Sequence, residues 1–542
     1  MENWLVLTLA VVIAARLLAT AKPPAGGTVE GAASPAWTPA LKYTVLAAGA
    51  AGLFLRLYGF GNSLSGDELG TLWTVESGLP EAIERSVAFH GQSPLYYLIA
   101  WALVSVFGES EIVLRLPSLL SIAGAAWLVY RTGEMLLGPR AGAYSAIAFW
   151  LAFMSLRSTG DARPYGLGLF VAALALYGFV KASTKGRGWG RVWFVAGGVG
   201  LIASHYLLAL MLLGIGLAYL AVPSLREEYK FPQFSCDVAA ITFFSAPLFP
   251  QVFALWNRRS ELAWAPEISY QSIFFTVGPE LTLAAAGLAA GAFWQRRAKV
   301  GGSLALLCGA MLAPPLVLIA LAQLGTNLLA ARYMCSALIP ACLLAGVGLA
   351  LLPVRWTYFG WFAWAGLNAL AFFGTYQQAH SFTGAGYQDW RAATAELERL
   401  LEREPGAPVF FRSGFVEDDQ RAWGHDVTSA LTAPLRSPGQ EPPGWNVVPL
   451  TYNWPFSQRE QYFERVVAPV LDEQEVFYYF SCDCASGAPS AGYEGRFAQW
   501  IGARFGGRYA AERLNVGFGM VAMRFSTPTA AAIPHAAVSE TR

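Results

Sequence analysis

Two adjacent carboxylates, Asp67 and Glu68, follow directly after an apolar run from Leu41 to Tyr58. Both acids would therefore lie where a membrane helix meets water, since the same charges deeper in the hydrocarbon would cost several kcal/mol each. A carboxylate at this boundary can act as a general base toward a substrate whose tail lies in the lipid. The simpler interpretation is that the pair ends a helix and solvates a loop. Other parts of the chain are needed to choose between the two.

Three further segments and one isolated histidine place polar side chains beside apolar runs, and each has a plain structural explanation. Pro94 and Pro164 interrupt helices, and the arginines of these segments can extend along apolar surface to reach water. A lone histidine between helices is more often a hydrogen-bonded core residue than a ligand. The candidates contributed by these segments are His90, Gln92, Tyr96, Tyr97, Asp161, Arg163, Tyr165, His205, Arg332 and Tyr333.

The composition is that of a membrane protein. Hydrophobic residues make up 55% of the 542 residues and charged residues only 13%, and the mean hydropathy is +0.41. A soluble domain carries about 25% charged residues, so we expect the chain to cross the bilayer many times. The net charge of +1, with basic residues spread in short clusters, argues against a nucleic-acid partner.

Apolar runs of roughly membrane-spanning length recur as far as Tyr376 and predict about twelve transmembrane helices. Residues 1–40 are expected to form an N-terminal span and a flexible linker. Residues 41–378 form the transmembrane domain, with a long first outer loop at 59–115. Residues 379–525, where charged residues become frequent, are expected to form a soluble α/β domain, and 526–542 a disordered tail. The fold class is thus a polytopic α-helical membrane protein with a C-terminal α/β domain.

Basic residues assign the orientation, because they favour the cytoplasmic side in short loops. The clusters of basic residues between the apolar runs can all lie on the cytoplasmic side if the stretch from Pro94 to Phe107 lies in the outer interface instead of spanning the membrane. Its Tyr96, Tyr97 and Trp101 suit the headgroup level. Both carboxylates, the turn before Tyr165 and the C-terminal domain then lie on the outer face.

The C-terminal domain is expected to contain a helix at 390–404 and strands at 409–412, 476–480 and 520–525. Its two cysteines, Cys482 and Cys484, lie one residue apart, which is too close for an easy disulfide. We therefore expect no disulfide framework and no structural metal.

Taken in order, the motifs resemble a known family. They are Asp-Glu at 67–68, Ser-Pro-Leu-Tyr-Tyr at 93–97, Arg-Leu-Pro-Ser at 115–118, Asp-Ala-Arg-Pro-Tyr at 161–165 and Arg-Tyr at 332–333. This order resembles the bacterial branch of the dolichyl-phosphate-mannose protein mannosyltransferases, which includes the aminoarabinose transferases of lipid A, in the GT-C superfamily of membrane glycosyltransferases. The resemblance covers about residues 41–376. The family often has His-Pro-Pro-Leu-Tyr-Tyr, whereas Gln92 and Ser93 stand here, with His90 two positions earlier.

The resemblance implies an inverting glycosyltransferase of the bacterial inner membrane. Such an enzyme takes a sugar from a polyprenyl-phosphate carrier, such as undecaprenyl phosphate, and passes it to a lipid, glycan or protein acceptor on the periplasmic side. Asp67 is then the expected general base, with Glu68 orienting it or the sugar. Asp161 would anchor Arg163, position the sugar, or join Asp67 in holding a divalent metal; no other cofactor is implied.

The remaining candidates divide into two groups under this resemblance. A phosphate leaving group gains negative charge in the transition state, so fixed cations and donors aimed at it are the natural catalysts. The residues assigned to the donor phosphate are Arg163, His205, Arg332 and Tyr333, and those assigned to the substrate and acceptor loop are His90, Gln92, Tyr96, Tyr97 and Tyr165.

Two alternatives stay open at this point. A ligase or polymerase acting on polyprenyl-diphosphate glycans would share the topology but would rely on arginine and histidine of the outer loops. A transporter would show pseudo-repeats and charged residues inside its spans. The sequence has no internal repeat, and its charges cluster at the outer ends of the spans.

Overall fold

The computed structural model describes residues 38–88, 92–183, 187–257, 301–352, 354–379 and 381–412, and in the C-terminal part 432, 435–436, 438, 444–450, 462–482, 493–517 and 519–528. Four predictions fall outside these residues: the N-terminal span, the apolar run at 273–294 that is counted among the twelve predicted spans, the role of His90, and most of the C-terminal tail. They stay predictions.

The membrane part is helical, as its apolar runs predict. Short 3-10 segments at Tyr206–Ala209, Ala246–Leu248 and Ala331–Ala337 adjoin some of the helices. The α-helices are α1 (Pro39–Leu57), α2 (Gly66–Val75), α3 (Leu79–Ala88), α4 (Leu95–Phe107), α5 (Glu111–Leu137), α6 (Pro139–Leu151), α7 (Phe153–Thr159), α8 (Tyr165–Ala182), α9 (Arg187–Ser204), α10 (Leu210–Ala221), α11 (Pro223–Glu228), α12 (Phe231–Ser245), α13 (Phe249–Asn257), α14 (Gly301–Gln323), α15 (Leu338–Leu351) and α16 (Val354–Ala379).

Within the described residues, five segments are long and apolar enough to cross a membrane: Glu111–Leu137, Tyr165–Ala182, Phe231–Asn257, Gly302–Gln323 and Ala331–Leu351. The chain is thus a multi-pass helical membrane protein, as predicted, while the expected number of about twelve spans stays a prediction. Helix α4 has 13 residues. At 1.5 Å per residue it reaches about 20 Å, too short for about 30 Å of hydrocarbon. Its interfacial position stays a prediction, and Tyr96 and Tyr97, which were expected at the headgroup level, are buried inside the protein.

Helix α8 lies at the centre of the membrane part and is almost wholly buried. It packs along α9 at close range, because small residues face each other across the contact. A Cβ on Gly178 would come within 2.2 Å of the Phe194 nitrogen, and one on Gly197 within 2.3 Å of the Ala175 nitrogen. Packing is also close where Tyr165 begins the helix, since a Cβ on Gly166 would lie 3.0 Å from Ser118 Cα of α5.

The C-terminal part forms a five-stranded mixed sheet with the order β2-β1-β3-β5-β4. Strand β1 pairs in parallel with β2 and β3, whereas β5 pairs antiparallel with β3 and β4. The elements are α17 (Trp390–Leu401), β1 (Val409–Arg412), β2 (Val447–Pro449), a π-helical turn (Phe463–Val467), α18 (Ala468–Asp472), β3 (Val476–Cys482), α19 (Tyr493–Phe505), β4 (Ala510–Leu514) and β5 (Met520–Ser526).

The helix and the three strands predicted for this part are present, with ends shifted by a few residues. Two strands were missed: β2 has only three residues, and β4 is largely exposed and so lacks an apolar signal. The expectation that Cys482 would stay out of a disulfide is wrong, because Cys482 is disulfide-bonded. Its partner lies outside the described residues.

The two parts share one apolar core beside the acidic pair. Leu64 and Leu69, next to the acidic pair, belong to the same buried cluster as Trp390, Phe411 and Phe480 of the C-terminal part. The C-terminal domain is therefore packed directly onto the segment that carries Asp67 and Glu68.

Candidate active site

Helix α2 begins at Gly66 and places Asp67 and Glu68 in its first turn. Acidic residues are favoured there because the unpaired N–H groups at a helix start carry partial positive charge. The Ser65 N–H donates to Glu68 Oε2 at 2.8 Å, the pattern of a capping box. The helix start therefore fixes the backbone of both acids, but their side chains have different surroundings.

Glu68 is 2% exposed and forms a bidentate ion pair with the fully buried Arg115 of α5. Arg115 Nε donates to Glu68 Oε1 at 2.7 Å, and Arg115 Nη2 donates to Glu68 Oε2 at 2.8 Å. The other guanidinium hydrogens donate to the carbonyl oxygens of Phe60, Asn62 and Ser63 at 2.7–3.0 Å. A buried charge pair is tolerated only when its remaining polar groups are satisfied in this way.

Glu68 also holds the turn before α8, because its Oε1 accepts the Ala162 N–H at 2.9 Å. One carboxylate thus joins the start of α2, the outer end of α5 and the turn that carries Asp161 and Arg163. Of the two roles predicted for Glu68, orienting Asp67 agrees with this buried position. Direct contact with a sugar does not.

Asp67 is 50% exposed and lies between two arginines. Arg163 Nη1 is 3.1 Å from Asp67 Oδ1, and Arg332 Nη1 is 3.0 Å from Asp67 Oδ2. Arg163 and Arg332, which are 96 and 265 positions from Asp67 in the sequence, therefore meet at its carboxylate. The structure brings together the predicted base and two predicted phosphate ligands.

Two buried hydrogen-bond donors of this cluster have no partner among the described residues: Arg163 Nε and the Tyr165 hydroxyl. Such groups are uncommon in folded proteins and call for an explanation. The Tyr165 ring lies 5.7 Å from the His205 ring and 6.5 Å from that of Tyr333, measured between centroids. Tyr165 thus packs beside His205 and Tyr333, and the Tyr333 ring in turn lies 5.3 Å from the guanidinium group of Arg332.

His205 is buried, and its Nδ1 accepts the Leu207 N–H at 3.3 Å. The histidine therefore caps the 3-10 segment that follows it, which is the core role considered from sequence. Burial, followed by the charges of Arg163 and Arg332, lowers the pKa of His205 to about 3. A neutral ring with Nδ1 as acceptor carries its hydrogen on Nε2, so it can act only as a neutral donor to an anion.

Asp161 lies beside this cluster, and its carboxylate makes no ion pair among the described residues. Its backbone oxygen accepts the Ser118 hydroxyl at 2.8 Å. Burial and the neighbouring Glu68 charge raise the pKa of Asp161 to about 7, against the opposing effect of Arg163. The same environment, through Asp67 above all other charges, raises the pKa of Arg163 despite its burial.

Gln92, Tyr96 and Tyr97 lie inside the protein, all 5% exposed or less. Tyr97 donates to Gln92 Oε1 at 2.8 Å, and Tyr96 donates to the Leu114 carbonyl at 3.0 Å. The Gln92 carbonyl accepts from Gln251 at 2.9 Å. These contacts make the three residues a framework under the first outer loop, and their assignment to acceptor binding stays a prediction.

Arg115 and Ser118 are the residues of the site whose roles sequence reasoning missed, although both lie in the Arg-Leu-Pro-Ser motif. The available signal was an arginine in the first turns of an apolar span, since such a charge needs a buried carboxylate partner. Ser118 connects three elements: besides Asp161 it contacts the Tyr96 hydroxyl at 3.2 Å.

A divalent metal held by Asp67 and Asp161 does not fit the described geometry well. Both Asp67 oxygens are already engaged by guanidinium groups, whose charge opposes a cation at that position. The described residues contain no group of three or more histidine, cysteine, aspartate or glutamate side chains that could hold a metal.

Comparisons with known proteins agree with the motif-based resemblance. Residues 91–249 match the family model of dolichyl-phosphate-mannose-protein mannosyltransferases, which confirms the resemblance over that part of the chain. No curated protein sequence matches the chain.

Several solved structures are similar to the chain at low sequence identity. The apo form of ArnT from Cupriavidus metallidurans is 14% identical, with 90% of this chain and 98% of that chain covered and a TM-score of 0.47. The same protein bound to undecaprenyl phosphate is 14% identical, with 89% and 98% covered and a TM-score of 0.46. The oligosaccharyltransferase AglB of Archaeoglobus fulgidus, in complex with an inhibitory peptide and a dolichol-phosphate, is 12% identical, with 89% and 74% covered and a TM-score of 0.43.

Replacing Arg115 with methionine should destabilise the protein by about 3–5 kcal/mol, because Glu68 would keep a buried charge without its partner. Thermal unfolding in detergent measures this. The Arg115→Met, Glu68→Gln double variant should recover part of the loss, since it buries no unpaired charge. Arg131→Met, which removes an exposed ion pair with Glu134, is the control and should cost less than about 1 kcal/mol. Equal stability of the single variant and the wild type would contradict the role given to Arg115.

The raised pKa of Asp161 should make stability fall as the pH rises. Unfolded Asp161 loses its proton near its ordinary pKa of 3.8, whereas the folded protein keeps it to about 7. Folding therefore binds a proton between these values, so the free energy of unfolding decreases across that window and levels off above it. The drop in melting temperature between pH 5 and pH 8 should be larger for wild type than for Asp161→Asn. Glu398→Gln, at an exposed position of α17, should behave as wild type.

Proposed function

We propose that the protein is an inverting membrane glycosyltransferase of the GT-C type that moves a sugar from a polyprenyl-phosphate carrier to an acceptor hydroxyl at the outer face of the membrane. The family match over residues 91–249 supports the enzyme class. The five helices of the described residues that are long and apolar enough to cross a membrane fit a carrier with a long hydrocarbon tail. The site supplies the two chemical functions that this reaction needs, a base and an anion site.

The proposal rests on the position of Asp67 next to hydrogen-bond donors that could bind an anion. Its carboxylate is half exposed and held by Arg163 and Arg332. The Arg163 Nε and the Tyr165 hydroxyl next to it are buried donors without a partner in the described part of the chain. A phosphate oxygen at this place would accept both hydrogen bonds and meet two guanidinium groups, which bind phosphate in a planar, bidentate manner.

In the proposed reaction, Asp67 accepts the proton of the acceptor hydroxyl while the hydroxyl oxygen attacks the anomeric carbon of the donor sugar. The bond between that carbon and the phosphate oxygen breaks, and its electron pair leaves with the phosphate. The polyprenyl phosphate thereby gains one negative charge, and the attack from the opposite face inverts the anomeric centre. Donors already in place stabilise that charge more in the transition state than in the ground state, which is the condition for catalysis.

Asp161 is assigned a supporting role in this scheme. With a pKa raised to about 7, its carboxyl group is protonated in part at neutral pH and can donate to or accept from a sugar hydroxyl. The same pKa would suit a general base. Asp67 is preferred as the base because it is the more exposed of the two and lies between the cations that would bind the leaving phosphate.

We place the site and the C-terminal domain on the periplasmic side of the bacterial inner membrane. The basic clusters of the sequence support this orientation. The C-terminal domain packs on the same end of the helices as Asp67, since Gly66 donates to Gln388 at 2.6 Å. The acceptor is therefore a lipid, glycan or protein that reaches the outer surface.

Asp67→Asn should lower sugar transfer by about 10²–10⁴-fold, the usual contribution of a general base. The change removes the basic oxygen and nearly preserves the shape, so the protein should still fold. The loss is measured as the rate of sugar transfer from a panel of synthetic polyprenyl-phosphate sugars to acceptors in membrane extracts. Glu111→Gln is the matched control, because Glu111 is also paired with an arginine on the outer face but lies outside the site.

The panel also tests the assignment itself. Wild-type protein that transfers from no polyprenyl-phosphate sugar would refute the proposed function and favour a diphosphate-linked donor or transport. Full activity of Asp67→Asn together with loss in Asp161→Asn would transfer the role of base to Asp161.

Tyr165→Phe should weaken binding of undecaprenyl phosphate by about 10-fold, the value of one hydrogen bond to a charged group. Its stability should stay the same or rise, because the hydroxyl has no partner in the described protein. Titration calorimetry in detergent, with thermal unfolding of the same samples, measures both. In the control Tyr219→Phe, a hydroxyl bonded to the Tyr229 carbonyl at 2.7 Å is removed, so stability should fall and binding should not change. Unchanged binding by Tyr165→Phe would remove Tyr165 from the phosphate site.

A further inference from the structure

The segment between the last membrane helix and the C-terminal domain, residues 381–389, packs on the residues that precede both candidate aspartates. We call it the connecting segment. A Cβ on Gly66, next to Asp67, would lie 3.1 Å from Gln388 Oε1. A Cβ on Gly160, next to Asp161, would lie 2.3 Å from Thr383 Oγ1. A side chain at position 160 would force Thr383 to move, and one at position 66 would displace Gln388 by a few tenths of an ångström, so the segment lies close to the backbone at both places.

The contact at Gly66 is a short hydrogen bond to a buried side chain. The Gly66 N–H donates to Gln388 Oε1 at 2.6 Å, and the same oxygen accepts the indole N–H of Trp390 at 3.1 Å. Gln388 is 6% exposed and Trp390 is 2% exposed. Gly66 is the first residue of α2, and the N–H groups of a first helical turn have no partner within their own helix. Gln388 therefore supplies the acceptor that this helix start lacks.

Trp390 connects Gln388 to the interior of the C-terminal domain. Its ring packs edge-on against Phe411 of β1 and Phe480 of β3, with centroid distances of 5.8 Å to each. Further contacts hold the connecting segment to the loop before α2: Asn62 donates to the Ala385 carbonyl at 3.2 Å, and the Arg391 N–H donates to the Ser63 hydroxyl at 3.1 Å. The position of Gln388 is thus set by the sheet on one side and by the first outer loop on the other.

We propose that Gln388 is a positioning residue for Asp67, through which the C-terminal domain completes the active site of the membrane domain. This role rests on the proposed function, in which Asp67 is the base. The carboxylate of Asp67 is one residue from Gly66 in the first turn of α2, where a helix frays most easily. Fixing the Gly66 nitrogen fixes the backbone that carries the base, and a displacement of about 1 Å at a reacting group can lower a rate by about 10²-fold.

The test compares Gln388→Met, which keeps the length of the side chain and removes the acceptor, with Gln388→Glu, which keeps an acceptor oxygen. Hydrogen exchange followed by mass spectrometry reports the Gly66 amide, and transfer from the most active polyprenyl-phosphate sugar of the panel gives kcat and KM. In Gln388→Met we expect the Gly66 amide to exchange at least about 10-fold faster, kcat to fall about 10-fold, and the donor KM to stay within about twofold. Gln388→Glu should restore protection and keep kcat within about threefold of wild type.

Arg391→Ala is the control for docking of the C-terminal domain in general. It removes a half-exposed ion pair with Glu111 and leaves the Gln388 contact in place. We expect it to retain wild-type kcat and Gly66 protection. An equal loss of kcat in Arg391→Ala and Gln388→Met would show that docking as a whole is responsible and would overturn the specific role of Gln388.

The remaining outcomes are also decisive. Unchanged exchange at Gly66 in Gln388→Met would show that Gln388 does not hold the helix start. Faster exchange with unchanged kcat would make the contact structural only. Either result overturns the proposal while leaving the proposed function intact. Wild-type protein that is inactive with every donor would instead refute the proposed function, and the positioning role with it, whereas the exchange data would still establish or refute the contact.

Discussion

The ion pair between Glu68 and Arg115 is the interaction on which the outer face of this protein depends. Transferring both charges from water is expensive, and their mutual attraction compensates only if the other polar atoms are satisfied. Here Arg115 donates to three backbone carbonyls besides Glu68, and Glu68 accepts two backbone N–H groups besides Arg115. The pair therefore holds backbone segments in place, because it fixes the loop before α2 and the turn before α8 against α5.

Adjacent residues on a helix point about 100° apart, and the Asp-Glu pair uses this difference. Glu68 points inward and is 2% exposed, whereas Asp67 points outward and is 50% exposed. The inner acid is fully occupied with structural contacts and has no capacity left for a substrate. The outer acid pairs with Arg163 and Arg332, whose guanidinium groups a phosphate could also engage. Two acids that look equivalent in sequence thus have separate roles, because one helix start aims them at different surroundings.

Sequence reasoning selected the residues of the candidate site that lie at the ends of apolar runs, and their catalytic and binding roles stay predictions. Asp67, Arg163, Tyr165, His205 and Arg332 were all found this way, because a polar residue at a span boundary stands out against its apolar neighbours. It did not recover contacts that depend on tertiary structure. Arg115 and Glu68 are 47 residues apart, and Gly66 and Gln388 are 322 apart, and neither pair has a local signal. The burial of Tyr96 was also missed, since a tyrosine near an interface can face lipid headgroups or the protein core equally well.

The short length of α2 gives a physical reason why the C-terminal domain packs against it. This helix has 10 residues, too few to be stable on its own. Its first turn carries the half-exposed carboxylate of Asp67. Stability must therefore come from tertiary contacts on the outer side. The apolar contacts of Leu69 with the shared core hold the helix body, and a buried amide oxygen from outside the membrane domain holds its first N–H. Asp67, the proposed base, is thus held through its backbone, which leaves its side chain half exposed.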